Sequence, residues 1–457
     1  MSTTTSPTRV PGPRGLPLIG VLPYLAKDPF GFCMQAAAEG DGLVQLDVGP
    51  VKAYLVSHPD YVRQILVTNA SNYIKGSMMN GIRLALGNGL FTSDGDFWKR
   101  QRRLMQPAFH VRQIQQMAAH IDEAIREGMQ RWASAIEHGE PVDVLVEATY
   151  LNIKIVLNTL FGATIASERS ARLLELTNTV FRGMTERVWT FFLPSWIPTP
   201  GVTAYRRAIT ALDGEIYGII ASRRTSAIER EDLLGTLLSM QDEETGERMS
   251  DQQIRDEIFT VFLAGYESTA SAVTWTCHLL SQHPDVTGRL QEELDHVLGD
   301  RVPAFADLPR LTYTRSVIDE ALRLYPAFPM FFRSSVNTDM LGPYEIPGGS
   351  HLILSPYATH RDPRFWDDPE VFDPERFTPE RFDARARHAY YPFGKGQRMC
   401  IGEPMSLTIA HLLVATLAHT YEIKLAPGAV VKPHYAMTYQ PKHGLPVALR
   451  FRSGEQD

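Results

Sequence analysis

The chain reads as a mainly α-helical (α+β) protein, a large helical body with a smaller β-rich part. Three observations predict this. Apolar residues recur at helical spacing over much of residues 95–300. After residue 330, Pro, Gly and Asp become frequent, with short strand-like runs between them. Residues 405–418, MSLTIAHLLVATLA, are almost all apolar, as a helix buried on every side must be. The 457 residues are 44% hydrophobic and 21% charged, an ordinary globular composition that excludes collagen-like and disordered classes. No linker or charge run divides them. Residues 11–457 are therefore expected to form one domain behind a disordered tail, residues 1–10.

The elements follow in order. Pro11-Gly12-Pro13-Arg14-Gly15 is a stiff lead-in, and Val51–Val56 is a strand with Gly49-Pro50 as its turn. Phe97 to His110, Gln113 to Ala135 and Asp143 to Leu160 carry helical periodicity. Residues 189–201, WTFFLPSWIPTPG, break it; a buried loop on one side, and a lid or an apolar contact surface on the other, are equally good readings. Asp242 to Gly246 reads as an exposed turn. Ser250 then opens a helix over 251–281, with Gln253 at the capping-box position. Leu352–Leu354 and Leu445–Phe451 read as strands.

With 45 basic and 52 acidic residues, formal charge −7, the chain is no nucleic-acid polycation. Three cysteines, Cys33, Cys277 and Cys400, make no secreted disulfide framework. The first ten residues hold no signal-peptide core, and no run of about 18 apolar residues exists. A cytoplasmic protein without a transmembrane anchor is expected.

The chemistry concentrates at residues 393–402, Phe393-Gly394-Lys395-Gly396-Gln397-Arg398-Met399-Cys400-Ile401-Gly402. Cys400 stands just before the apolar helix, whose N-terminal N–H groups stabilise a thiolate. Arg398 is a fixed cation suited to a carboxylate. Zinc would require several Cys or His at short spacing, whereas haem iron requires one axial protein ligand. A buried free cysteine in a Gly-rich loop is the plain alternative.

The ten residues match the signature F-x-x-G-x-R-x-C-x-G at every fixed position, so the chain resembles the cytochrome P-450 superfamily of haem-thiolate monooxygenases. Further segments share the resemblance, in the family's order. Glu320-Ala321-Leu322-Arg323 is similar to E-x-x-R, whose i, i+3 pair shares a helix face. Arg376, in Asp373-Pro374-Glu375-Arg376-Phe377, resembles the third member of that structural triad. Ala264-Gly265-Tyr266-Glu267-Ser268-Thr269 resembles the oxygen-activation motif A/G-G-x-D/E-T-T/S. Ser268 stands where the family usually has Thr, keeping the hydroxyl without the methyl that restricts its rotamer.

The resemblance implies the cytochrome P-450 fold around a buried haem b (iron protoporphyrin IX), with the iron ligated by Cys400. It implies Glu267, Ser268 and Thr269 as the proton relay, with Ala264 and Gly265 against the cofactor. Trp98 and Arg102 of a W-x-x-x-R segment, Arg333 and Arg398 would hold the propionates, and Phe393 and Gly402 complete the cysteine loop. Pocket residues are expected at Met78, Met79, Ile82, the 181–197 region, Ala264, Ala327, Phe328, Met330, Phe331 and Met437. These are apolar, so a lipophilic small molecule is expected; fatty acids, terpenoids, polyketides and aromatic peptides all stay open. Nothing remains in the chain for a flavin or iron–sulfur domain. Electrons are expected from a ferredoxin or flavodoxin with its NAD(P)H reductase, with Lys99 and Arg103 available to dock an acidic donor. A monomer inserting one oxygen atom from O2 by hydroxylation or epoxidation is expected. Oxidative coupling or ring closure is the alternative, and a haem-binding carrier or sensor an alternative of another class.

Overall fold

The structure, a computed structural model, describes residues 9–162, 167–189, 201–226, 232–242, 245–382, 388–435 and 437–452. The aromatic segment at 190–200 lies outside them, as does residues 1–8 of the expected tail. Val10 of that tail is buried against a cluster containing Leu43 and Tyr54.

The central helix, Asp251–Gln282, organises the body. Ser250 starts it as expected: its hydroxyl accepts the Gln253 N–H at 3.2 Å, and the Gln253 side chain accepts the Ser250 N–H at 2.8 Å. Such a cap is worth about 1 kcal/mol. The first half of the helix (Ile254, Phe259, Phe262, Leu263, Tyr266) packs into one apolar cluster. The second half (Ala270, Val273, Leu280) packs into another, together with Ile318 and Leu412. Residues 264–269 therefore stand where the helix passes from one core to the other.

Val144–Phe161 packs along the central helix, joined by Asn152 Nδ2 donating to the Tyr266 carbonyl at 3.2 Å. Asp143 caps it, accepting the Leu145 N–H at 3.0 Å. Among the described residues this is the one helix long and apolar enough to cross a membrane, and 61% of it is buried inside the protein. The helix expected over 97–110 is Gly95–Met105, continued as one 3-10 turn, because Pro107 has no N–H to extend the α-helical ladder. The next one divides at Met117 into Val111–Gln116 and Ala118–Glu137.

The β part is a five-stranded sheet in the order Leu43–Val48, Val51–Val56, His351–Leu354, Phe331–Ser335, Tyr73–Ile74. Val56 pairs with Leu354 in its one parallel ladder, and Arg333 pairs with Leu352. Pro446–Phe451 sits between Val142–Asp143 and Tyr421–Leu425 in a second sheet. A C-terminal hairpin pairs Pro433–Tyr435 with Tyr439–Pro441.

The turn at 242–246 is not simply exposed. Asp242 is buried, because Arg100 and Arg103 of the Gly95–Met105 helix bind its carboxylate at 3.4 and 3.1 Å. Those partners lie about 140 positions away, out of reach of local pattern.

Candidate active site

The cysteine loop is folded by its glycines. Gly396 has φ +71°, and a Cβ there would stand 2.0 Å from the Leu66 carbonyl oxygen, so only glycine fits. The Cys400 N–H donates to the Phe393 carbonyl at 2.9 Å, and Gly402 is the N-cap of the helix Glu403–Thr420. Burial pushes the Cys400 thiol up. The N–H groups of Gly402 and Glu403 and the Arg102 charge oppose this, while the Glu403 charge adds to it. Cys400 itself is exposed. Ala264 is accessible in the same way, in the midst of buried Phe262, Leu263 and Tyr266. The Thr269 hydroxyl joins the central helix to the Cys400 helix through Ser406, at 2.9 Å.

Beside the loop stands a cluster of three cations, Arg333 buried and Arg398 and Lys75 half-buried. Arg398 lies over the Trp98 ring, 4.1 Å from its centroid, and donates to Ser93 O at 2.9 Å and Asp94 Oδ1 at 2.8 Å. Arg333 is 6% exposed, and its guanidinium is lowered to about 10, first by burial and then by the Arg398 charge. Lys75 is crowded too. Burial, then the charges of Arg333 and Arg398, hold its ammonium well below the ordinary range. Asp94 is the acid acting on all three. Lys75 was not legible in the sequence, since the two arginines it stands beside lie more than 250 positions away.

Trp98 and Arg102 each touch the cysteine loop. Trp98 supports Arg398, whereas Arg102 Nη1 donates to the Met399 carbonyl at 2.8 Å, next to Cys400. Phe393 is half-buried against the core that holds the Cys400 helix. A Cβ on Gly265 would meet Val156 at 3.1 Å, so the missing side chain there serves helix packing. Contrary to expectation, Gly265 does not present the open face; Ala264 does.

Glu267 points to the C-terminal hairpin. Its Oε1 accepts from Gln440 Nε2 at 3.4 Å, and its Oε2 is buried without a protein partner. Burial pushes its carboxyl up to about 7, with Thr438 and Gln440 pulling the other way. The Ser268 hydroxyl donates back to the Ala264 carbonyl at 2.8 Å. The Thr269 hydroxyl is directed to Ser406, away from Glu267 and the hairpin.

Behind the site, Arg323 makes a bidentate pair with Glu320 at 2.6 and 2.8 Å and also donates to the carbonyls of His360, Pro369 and Val371. Arg376 Nε stands 3.4 Å from the same carboxylate. All three side chains are buried. Of the expected pocket residues, Met79, Ile82 and Met437 share the cluster of Phe262 and Tyr266. Met330 does not: it packs with Val44, Leu46 and Ile353 beneath the sheet. Phe331 is half-buried against Tyr391, Phe328 is half-buried, and Ala327 is buried with its carbonyl accepting the Tyr439 N–H. At Met78 only the backbone is described, in a 3-10 turn. A surface groove of about 560 Å³ is lined by Arg315, Asp319, Leu407 and His411, and by neither Cys400 nor Ala264.

The sequence profile of the family described as Cytochrome P450 matches residues 10–445. The chain belongs to the cytochrome P450 family. Cyclooctatin synthase of Streptomyces melanosporofaciens is 37% identical over 93% of this P450 and 92% of its own length. Cyclooctat-9-en-7-ol 5-monooxygenase of the same organism is 36% identical over 92% and 90%. Pentalenene oxygenase of Streptomyces avermitilis is 34% identical over 94% and 95%. The crystal structure of the cytochrome P450DA heme domain superposes with a TM-score of 0.90 at 28% identity, covering 98% of both chains. This P450 is a monooxygenase, an enzyme class that takes O2, binds lipophilic substrates and draws electrons from redox partners.

The family implies a haem with cysteine-ligated iron, and the residues present fit one. Lys75, Arg333 and Arg398 are three crowded cations facing one acid, which is the donor set a buried dianion such as a pair of propionates requires. Cys400 supplies an exposed thiol at the start of the Glu403–Thr420 helix.

Proposed function

We propose that this P450 oxygenates a cyclic terpenoid, with Cys400 as proximal ligand of haem b and Glu267 and Ser268 as its proton relay. When bound, the haem supplies dioxygen activation, which a thiolate ligand favours. The rest falls to the chain. Arg398, Arg333, Lys75 and Trp98 fix the propionate edge. Arg102 and the N–H groups of Gly402 and Glu403 support charge on Cys400. Glu267, poised near neutrality by burial, holds a proton at Oε2 and passes it on by way of the Ser268 hydroxyl. Thr269 ties the two helices together. The cluster around Met79, Ile82, Phe262 and Met437 offers the substrate apolar surface and no charge.

The observation that carries the reading is the exposed Cys400 at the start of its helix, tied to the central helix of Ala264–Ser268 by the Thr269–Ser406 bond of 2.9 Å. The terpenoid class rests on the relatives named above. A ferredoxin or flavodoxin with its reductase is proposed as donor to a monomeric, cytoplasmic enzyme. Lys99, exposed and paired with Asp96 at 2.9 Å, is the better docking cation; Arg103 serves Asp242.

The test is absorbance of the reduced, carbon monoxide-treated protein. The strongly red-shifted Soret band of a thiolate complex is expected, lost in Cys400→Ala. Haem-free, folded protein after haem supplementation would overturn the assignment. Pentalenene and cyclooctat-9-en-7-ol are then titrated beside fatty acids. A spin-state shift with a terpene and a product heavier by one oxygen are expected. A response to fatty acids alone would refute the terpenoid reading.

A further inference from the structure

A turn near the start of the chain holds a leucine out into solvent. Leu18 has φ +67°, a left-handed conformation that leucine rarely adopts, and is 95% exposed. The Ile19 N–H donates to the Pro17 carbonyl at 2.9 Å, so Leu18 is the centre of a γ-turn of the strained kind. The turn is firmly held. Leu16 and Gly20 exchange both backbone bonds, at 2.9 and 2.8 Å. The Gly49 N–H donates to the Ile19 carbonyl at 3.2 Å, and the Val21 N–H to the Asp47 carbonyl at 2.7 Å. Gly20, φ +58°, lets the turn press on that hairpin, since a Cβ there would stand 1.8 Å from the Asp47 carbonyl oxygen. An almost fully exposed side chain returns no packing energy for the strain. Strain kept in so firm a frame is a mark of function.

The surroundings of Leu18 are apolar outward and cationic at the rim. Leu16, Ile19 and Tyr24 are exposed, while Val21 and Leu25 between them are buried in the core beneath. Three exposed cations stand around them: Arg14 before the turn, Lys27 at i+3 from Tyr24 on the short helix Leu22–Lys27, and Lys52 opposite Asp47 in the hairpin. Of the nearby acids, Asp28 accepts the Gly31 N–H at 2.9 Å and Asp47 accepts Gln45 Nε2 at 3.1 Å. None of the three cations has an ion-pair or hydrogen-bond partner among the described residues. Apolar side chains ringed by free cations complement a surface that is apolar inside and negative at its face. The tip is convex, and its four side chains fall far short of the roughly 800 Å² that a stable protein interface takes from each partner. Lipid demands no matching surface.

We propose that this tip anchors the enzyme to an anionic lipid surface. Leu16, Leu18 and Ile19 enter the acyl boundary, Tyr24 lies at headgroup level, and Arg14, Lys27 and Lys52 meet the phosphates. A small apolar element joined to a basic patch is the pair of signals that makes peripheral binding stable. Anchoring places the enzyme at the phase in which a lipophilic substrate concentrates, whichever lipophile that is.

The test is flotation of the haem-loaded, full-length protein with two kinds of vesicle, phosphatidylcholine alone and phosphatidylcholine mixed equally with phosphatidylglycerol. The wild type should float with the anionic vesicles and be released by high salt. Leu18→Asn suits the left-handed conformation, so its melting temperature should not fall. Its vesicle affinity should drop about tenfold, the scale of one withdrawn leucine. Lys27→Gln and Lys52→Gln should each cost about fivefold. The carbon monoxide band should match the wild type in all three variants, since none of these residues belongs to the active site. Wild-type protein that floats with neither vesicle, or Leu18→Asn that floats like the wild type, overturns the anchor. Equal flotation with both vesicles overturns the pairing of the cations with phosphates. Sedimentation without lipid checks the rival occupant: a wild-type dimer that Leu18→Asn dissociates would assign the tip to a second copy of the chain and overturn the lipid reading. If Leu18→Asn does not fold, Leu18→Gly, which also suits the turn, carries the same measurements.

Discussion

Arg398 lies over Trp98, with its guanidinium carbon 4.1 Å from the ring centroid, while Asp94 and the Ser93 carbonyl take its donors. The stack joins the Gly95–Met105 helix to the cysteine loop across some 300 positions of sequence. A guanidinium fork can stack and bind two acceptors at once; an ammonium cannot. Haem should therefore be lost to an acceptor globin fastest from Arg398→Ala, more slowly from Arg398→Lys and slowest from the wild type. Equal rates for Arg398→Lys and the wild type would show that charge alone matters.

Lys75 yields a prediction of two signs. Its ammonium is crowded beside Arg333 and Arg398, so the cofactor-free protein bears their repulsion. Lys75→Met should raise the melting temperature of the haem-free protein, because a cation crowded by two others is removed. The same variant should bind haem more weakly, because a dianion loses a partner. Calorimetry of the haem-free and haem-loaded forms checks both. A fall in both would mean that Lys75 is an ordinary packing residue.

How much of this was legible in the sequence depended on the distance between partners. The strand Val51–Val56, the Asp143 start of the next helix and the Ser250–Gln253 capping box obey local rules, and the structure has each of them. The cysteine loop is a contiguous motif. Asp242 was misread as exposed because its arginines come from residues 100 and 103. Gly265 was assigned to the cofactor because spacing shows that a helix has faces and not which neighbour each face meets; Val156 decides that. Met330 is expected in the pocket from the family resemblance, yet it belongs to the cluster of Val44, Leu46 and Ile353.

Glu257 makes stability depend on pH in the sense opposite to most carboxylates. It is 1% exposed, accepts the Leu90 N–H at 2.9 Å, and is pushed up to about 8, first by burial and then by the Asp256 charge; the Leu90 N–H opposes this. The folded form thus binds a proton that the unfolded form, with the ordinary value of 4.5, has released. Stability falls as pH rises between about 4.5 and 8, by up to about 1.4 kcal/mol for each pH unit. Glu257→Gln should flatten the melting temperature across that window. An unchanged slope would place the titration elsewhere.

The buried triad predicts a ranking from its geometry. Arg323 gives Glu320 two short bonds and also satisfies three carbonyls, of His360, Pro369 and Val371. Arg376 offers Glu320 one contact at 3.4 Å and a bond to the Asp368 carbonyl at 3.0 Å. Removing one partner of a buried pair costs about 3–5 kcal/mol, because the other charge is left without compensation. Domains hold about 5–15 kcal/mol in all. Arg323→Ala strands both the Glu320 carboxylate and three carbonyls, so it should give little or no folded protein. Arg376→Ala leaves the bidentate pair and the Asp373 N–H on Glu320, at 2.9 Å, in place. It should fold, with a clearly lowered melting temperature and the red-shifted carbon monoxide band retained. Soluble yield and thermal unfolding followed by circular dichroism give the order. If Arg376→Ala proved the more damaging, the weight of the triad would lie with the 368–377 segment and not with the Glu320–Arg323 pair.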